Sequence, residues 1–127
     1  MSQIRGKNTK PEMLVRKFLH SKGLRYKLHD KTLPGKPDLV FPRYKVIVNI
    51  NGCFWHGHEG CKYYVIPKTR TDWWVNKLNK NVKKDEENIM KLHYLGWNVI
   101  VVWECELKKD QLSETLNKLY EKIICLD

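Results

Sequence analysis

The run Trp97–Trp103 (WNVIVVW) is the most hydrophobic stretch of the chain, and it follows at once on a helical pattern stopped by Gly96. That pattern begins at Thr71 or Asp72 and reaches Leu95, with Trp74, Leu78, Val82, Ile89 and Leu92 recurring at helical spacing. A strand this apolar needs cover on both faces, so it is expected at the centre of a sheet with helices against it. Two further strand runs precede the long helix. Asp38–Phe41 and Lys45–Ile50 are short, β-branched and separated by Pro42-Arg43-Tyr44, which reads as a hairpin with the second strand buried. Residues 24–29 (LRYKLH) alternate apolar and basic in the manner of a half-exposed edge strand, and Leu33–Pro37 is a turn or loop.

Helices are expected at both ends. Thr9-Lys10-Pro11-Glu12 has the form of a capping box with a proline in the first turn, and Leu14, Val15, Phe18 and Leu19 supply an apolar stripe that Gly23 ends, giving a helix over 10–22. Asp110 caps a last amphipathic helix carrying Leu112, Leu116, Leu119 and Ile123 on one face. The order of helix, strands, long helix, strand and helix predicts a mixed sheet packed between helices. Residues 1–127 are expected to form one α/β domain. A hydrophobic content of 42% with 11% aromatic residues is enough to fill its core.

Charge narrows the function. Residues 1–84 carry 19 Lys and Arg against 5 Asp and Glu, whereas residues 85–127 carry 5 against 9. So lopsided a positive surface suits a polyanion, and nucleic acid leads because neutralising phosphates releases counterions. No apolar run approaches the roughly 18 residues of a membrane span, and Met1–Lys10 lacks the apolar middle of a signal peptide. An intracellular, cytoplasmic location follows, where cysteines serve as metal ligands or buried thiols more often than as disulfides.

Cys53 and His58 are separated by four residues, and Cys61 follows after two more, in a glycine-containing segment free to wrap an ion. Zinc is the natural occupant, and a tetrahedral site needs a fourth ligand. Cys105 is well placed at the end of the Trp97–Trp103 strand; Cys125, on the last helix, reads as a core thiol. Buried free cysteines remain the alternative. The pattern matches neither the H-E-x-x-H of a zinc protease nor the paired motifs of a nucleobase deaminase, so a catalytic zinc has little support. Asp38 opens a strand where an acid can hold Mg²⁺ with a carbonyl and a substrate phosphate, or can simply cap a turn after Pro37. Glu12 reads as the capping-box partner, and His56 as either structural or chemical. Phe54, Trp55, Trp73 and Trp74 are either core or aromatics that stack on or wedge between bases.

Six blocks taken together resemble the very-short-patch mismatch-repair endonuclease family of the Vsr type: IRGKNTKPE (4–12), LPGKPDLVF (33–41), NGCFWHGHEGC (51–61), TRTDWW (69–74), LNKNVKKD (78–85) and GWNVIVVWECEL (96–107). The resemblance implies a restriction-endonuclease-like α/β core, Mg²⁺-dependent nicking of one strand of duplex DNA at a T:G mismatch, and a structural zinc. It implies that Asp38 and the main-chain carbonyl of Ile50 hold Mg²⁺, that His56 activates water and that Glu12 assists from the first helix. Cys53, His58, Cys61 and Cys105 become the zinc ligands. Phe54, Trp55 and Trp74 become the aromatics that enter the duplex, with Asn51 and Lys36 completing the DNA-contacting set. Implied partners are mismatch-repair proteins and a companion cytosine-5 DNA methyltransferase system, with the chain acting as a monomer.

Two departures stand out. Asn51 occupies a position where some members have a histidine, which points it to phosphate or water. The first block also begins close to Met1, where fuller members have a longer basic segment, so a weaker grip on DNA is expected. Two other functions remain open: a non-catalytic zinc-stabilised DNA-binding module, and a restriction or defence endonuclease of the same fold that cuts both strands.

Overall fold

Along the computed structural model, which describes residues 10–53, 56–58, 61–62 and 65–125, the elements run α1 (Lys10–Ser21), β1 (Lys27–Leu28), β2 (Leu39–Phe41), β3 (Val46–Asn51), α2 (Thr71–Tyr94), β4 (Asn98–Trp103), a 3-10 turn (Glu104–Leu107) and α3 (Leu112–Cys125). The four strands form one sheet in the order β1-β2-β3-β4, with β1–β2 and β2–β3 antiparallel and β3–β4 parallel. This is the mixed α/β sheet expected from the order of elements.

One expectation fails. The hydrophobic strand β4 lies at the edge among the described residues, and β3 holds the inner position between β2 and β4. The hairpin lays β3 beside β2, and the crossover through α2 adds β4 to the open side of β3. The next element is a helix, so nothing pairs beyond β4. Its apolar character serves the two faces instead: Val102 and Ile100 join the core on one side, while Val99 packs on the other.

Strand alternation explains how the layers divide. Leu39, Phe41, Val46 and Val48 point to a core shared with Val15 and Leu19 of α1 and Leu116, Leu119 and Ile123 of α3. Val40 and Ile47 point to the opposite face, where Leu92 of α2 covers them. By the same parity Asp38, Asn49 and Asn51 belong to the α2 face. The polar end of an otherwise apolar pair of strands therefore opens towards α2.

The helix ends obey the sequence signals. Gly96 lies at φ +96° and donates to the His93 carbonyl (3.0 Å), while the Trp97 N–H reaches the Leu92 carbonyl (3.0 Å). This is a Schellman ending, and the contact of Trp97 with the Leu92 cluster is its hydrophobic seal. Gly23 and Leu24 close α1 with the same two bonds. That claims Leu24 for the core, and His29 leaves extended geometry at φ +46°, so the strand expected over 24–29 contracts to Lys27–Leu28. The last helix also starts later than Asp110 suggests. The Gln111 carbonyl accepts from the Thr115 N–H (2.9 Å), placing the start one residue further on. Cys125, expected in the core, is exposed.

Candidate active site and metal centre

A cavity of about 680 Å³ opens where the polar ends of β2 and β3 face α2, and Glu12, Lys36, Asp38, Ile50, Asn51, His56 and Asp85 all line it. Asp38 is pinned from β3: its N–H donates to Asn49 Oδ1 (3.2 Å), and its Oδ2 accepts from the Ile50 N–H (2.8 Å). Burial pushes the Asp38 carboxyl from 3.8 up to about 6, and the neighbouring Glu12 charge adds to the rise. The Ile50 hydrogen bond and the histidines at 29 and 56 oppose it.

The loop before Asp38 is fixed by contact with α2. Gly35 sits at φ +77°, and a Cβ there would come within 2.9 Å of Asn88 Nδ2. Gly35→Ala is expected to cost about 2 kcal/mol, backbone strain and displacement of Asn88 together. Gly23→Ala, which meets open space at φ +82°, should cost only the strain, about 1 kcal/mol. Thermal melts of the two variants compare these costs directly, and an equal loss would show that the Asn88 contact carries no weight.

His56 Nδ1 lies 2.5 Å from Asp85 Oδ2, each side chain about one-third exposed at 32%. With Nδ1–H donating to Asp85 Oδ2, the neutral ring keeps a lone pair on Nε2 that can take a proton. Tight turns build the loop around His56: its N–H donates to the Gly52 carbonyl (3.2 Å), His58 N–H to Cys53 (2.9 Å) and Cys61 N–H to His58 (3.2 Å).

The same turns help gather Cys53, His58, Cys61 and Cys105, whose ligand atoms all lie within 4.8 Å of one another. Strand register supplies the rest. Asn51 pairs with Trp103 in parallel, so Cys53 and Cys105 each stand two residues beyond matched ends of neighbouring strands. Cys105 Sγ approaches His58 Nδ1 at 3.5 Å, and the His58 ring stacks on Trp103 at 4.0 Å and 5°. Burial, helped by the hydrogen bonds that its S–H donates to Cys53 and Cys61, pushes the Cys105 thiol up to about 12; burial raises Cys53 too. Thiols crowded this way resist ionising unless a cation shares the charge. Sulfurs bound to one tetrahedral ion at about 2.3 Å lie about 3.8 Å apart, which suits the observed spread. The four residues thus form a Cys3His cluster able to hold one metal ion.

Glu12 is buried, its Oε2 held by His29 Nε2 (2.9 Å) and Arg16 Nη1 (3.4 Å). Thr9, the other half of the expected capping box, lies outside the described residues. Glu12, His29 and Asp38 form a second group with ligand atoms within 4.8 Å of one another. Phe54 and Trp55 also fall outside the described residues. Trp74 is half-buried and edge-on to Trp73 (4.9 Å, 87°), which is 48% exposed with the Arg70 guanidinium 5.2 Å from its ring.

Sequence reasoning missed His29 and Asp85. Asp85 left a signal, since it stands midway between Leu78 and Leu92 at seven-residue steps, and both leucines are buried. An acid on the apolar stripe of a helix is out of place unless something pairs with it. His29 left none, because a left-handed residue at a strand end has no sequence mark here.

The family model described as "DNA mismatch endonuclease Vsr" matches residues 1–62. The type II nicking enzyme V.NmeAIP of Neisseria meningitidis serogroup A is 50% identical over 124 residues, 97% of this chain and 88% of its own length. The type II nicking enzyme V.XorIIP of Xanthomonas oryzae is 50% identical over 107 residues, 84% of this chain and 78% of its own. The DNA mismatch endonuclease Vsr of Escherichia coli K12 is 39% identical over 127 residues, 98% of this chain and 81% of its own. With likeness along nearly its whole length, the chain belongs to the Vsr family of DNA mismatch endonucleases, and it is a strand-nicking endonuclease.

Proposed function

We propose that the protein nicks one strand of duplex DNA beside a T:G mismatch, with Mg²⁺ held at Asp38 and a structural zinc in the Cys3His cluster. The observation that carries this reading is the convergence of the Asp38 carboxylate and the His56–Asp85 pair on one cavity. Asp38, assisted by Glu12 and the Ile50 carbonyl, provides the hard oxygen donors that Mg²⁺ prefers. Bound there, the ion supplies charge to the scissile phosphate and the departing oxygen. His56 Nε2 takes the proton from the attacking water, and Asp85 steadies the imidazolium that results. Lys36, exposed at the cavity rim, and Asn51 at the end of β3 contact phosphate.

Mismatch choice rests on deformability. A T:G wobble step unstacks more cheaply than a matched one, so aromatic wedges from Phe54, Trp55 and Trp74 select the weak step at a cost of roughly a few kcal/mol. In this reading the chain acts as a cytoplasmic monomer beside a cytosine-5 DNA methyltransferase system, and mismatch-repair proteins take over its product. No helix among the described residues is long and apolar enough to cross a membrane.

The test is a nicking assay with Mg²⁺ on otherwise identical T:G and T:A duplexes. Nicking confined to T:G is the expected result, while equal cleavage of the matched duplex would remove the mismatch part. Asp85→Asn should lower the rate roughly 10- to 100-fold, less than the roughly 100- to 10,000-fold of a general base lost outright, because the imidazole remains but loses its orienting partner. An unchanged rate in that variant would take Asp85 out of the mechanism.

A further inference from the structure

The oxygen-rich picture of the catalytic cation leaves one neighbour without a role. His29 sits beside the two carboxylates, and its placement is built into the fold. Its backbone is at φ +46°, a region that residues other than glycine rarely adopt, and its N–H donates to the carbonyl of Asp38 itself (3.0 Å). The strand pairing just before it, Lys27 with Val40 and Leu28 with Leu39, fixes the approach. The turn brings Nε2 to 2.9 Å from Glu12 Oε2, and one atom each of Glu12, His29 and Asp38 lies within 4.8 Å of the others. Around a six-coordinate ion with bonds of about 2.2 Å, adjacent donors lie about 3 Å apart and opposite donors about 4.4 Å apart. Separations of at most 4.8 Å, with 2.9 Å between His29 Nε2 and Glu12 Oε2, are close to that spread. Among the described residues, only this group and the Cys3His cluster gather three metal-ligating side chains so closely.

We propose that His29 is a nitrogen ligand of the catalytic cation, so that Glu12, His29 and Asp38 form a mixed oxygen and nitrogen site that takes Mn²⁺ ahead of Mg²⁺. The proposal rests on the reading that Asp38 holds a divalent cation. Its chemistry follows from donor type: Mg²⁺ is satisfied by oxygens and water, whereas an imidazole nitrogen favours the later divalent ions. Ca²⁺, larger and seeking six to eight oxygens, should bind but weakly. In the absence of a cation His29 hydrogen-bonds Glu12, which keeps both groups at the site.

The experiment uses the full chain with its Cys3His cluster saturated with zinc, so that added Mn²⁺ goes elsewhere. Electron spin echo spectra of bound Mn²⁺ should show the modulation of a directly coordinated imidazole nitrogen. His29→Gln, which offers an amide oxygen instead, should abolish the modulation; His56→Gln should keep it. Calorimetry should find Mn²⁺ binding at least tenfold tighter than Mg²⁺ in the wild type and less than threefold tighter in His29→Gln. Mn²⁺ that binds the wild type, is lost in Asp38→Ala and shows no nitrogen modulation would overturn the role of His29 while leaving Asp38 as the cation ligand. Mn²⁺ binding that survives Asp38→Ala unchanged would overturn the reading of Asp38 and the proposal with it. Should His29→Gln fold poorly, the His56→Gln spectrum still decides: modulation kept there assigns the nitrogen to His29, and modulation lost there overturns the proposal.

Discussion

Replacing Cys105 with serine should lower the melting temperature by roughly 15 °C and abolish nicking, and stripping the ion from the wild-type chain with a strong chelator should do the same. The Cys3His cluster joins the far ends of two parallel strands, because Cys53 and Cys105 lie two residues past the Asn51–Trp103 pair. Without an ion, the three thiols and the imidazole are held only by weak sulfur hydrogen bonds and the stacking of His58 on Trp103. Metal binding to such a site is folding free energy, about 10–16 kcal/mol in isolated zinc-finger peptides. Here the sheet and helices fold around a separate apolar core, so only part of that is felt, about 4 kcal/mol. For a chain of this size that corresponds to roughly 15 °C. Thermal melts with and without chelator, paired with metal analysis, check it; a melting point within about 2 °C of the wild type after loss of the ion would remove the stabilising role. Nicking should fail alongside, because His56 lies between Cys53 and His58 in the same set of turns.

Asp38→Asn should act in opposite directions on stability and activity. The Asp38 carboxyl is raised from 3.8 to about 6, chiefly by burial, so the folded chain keeps this proton to a higher pH than the unfolded chain does. With no cation bound, the contribution of this group to stability is therefore highest below about pH 3.8. It falls as the pH climbs towards 6 and levels off above that, with a total cost of about 3 kcal/mol. A neutral asparagine avoids the cost. At pH 7.5, without Mg²⁺ and with the Cys3His cluster in the same metal state in both proteins, the variant should melt roughly 10 °C above the wild type, and nicking should fall to background. The gap between the two proteins should close as the pH is lowered through 6 to 4, and Mg²⁺ should narrow it at neutral pH by favouring the carboxylate. Parallel melting curves across that pH range would contradict the assignment of burial as the cause.

The elements themselves were legible in the sequence because each carries a local mark. Gly23 and Gly96 end helices through hydrogen bonds that a reader of glycine positions can anticipate, and the β-branched runs fall where the strands do. The place of a strand within the sheet is a non-local property. The hydrophobicity of Trp97–Trp103 reported that both faces are covered, without reporting which strands lie alongside. The metal cluster was partly legible, since three of its members sit in one loop and Cys105 ends a strand. For the candidate site, the family likeness singled out Asp38 and His56, and the fold brings both to one cavity. Asp85 comes from a helix 29 positions after His56, and only its intrusion on an apolar stripe marked it. His29 depends on a left-handed turn that alternation of apolar and basic residues does not announce.

The parallel register of β3 with β4 also sets an order of assembly. Glu12, Asp38, His56 and Asp85 are all synthesised before β4, yet the loop that carries His56 is anchored partly through Cys105, which arrives after it. A ribosome-bound chain therefore owns every group assigned to the chemistry before it owns the strand that holds them in register. Because pairing Asn51 with Trp103 closes a long stretch of chain, it is the slow kind of contact. The fold thus delays its own chemistry: the groups assigned to it come into register only once β4 and Cys105 have been made and paired.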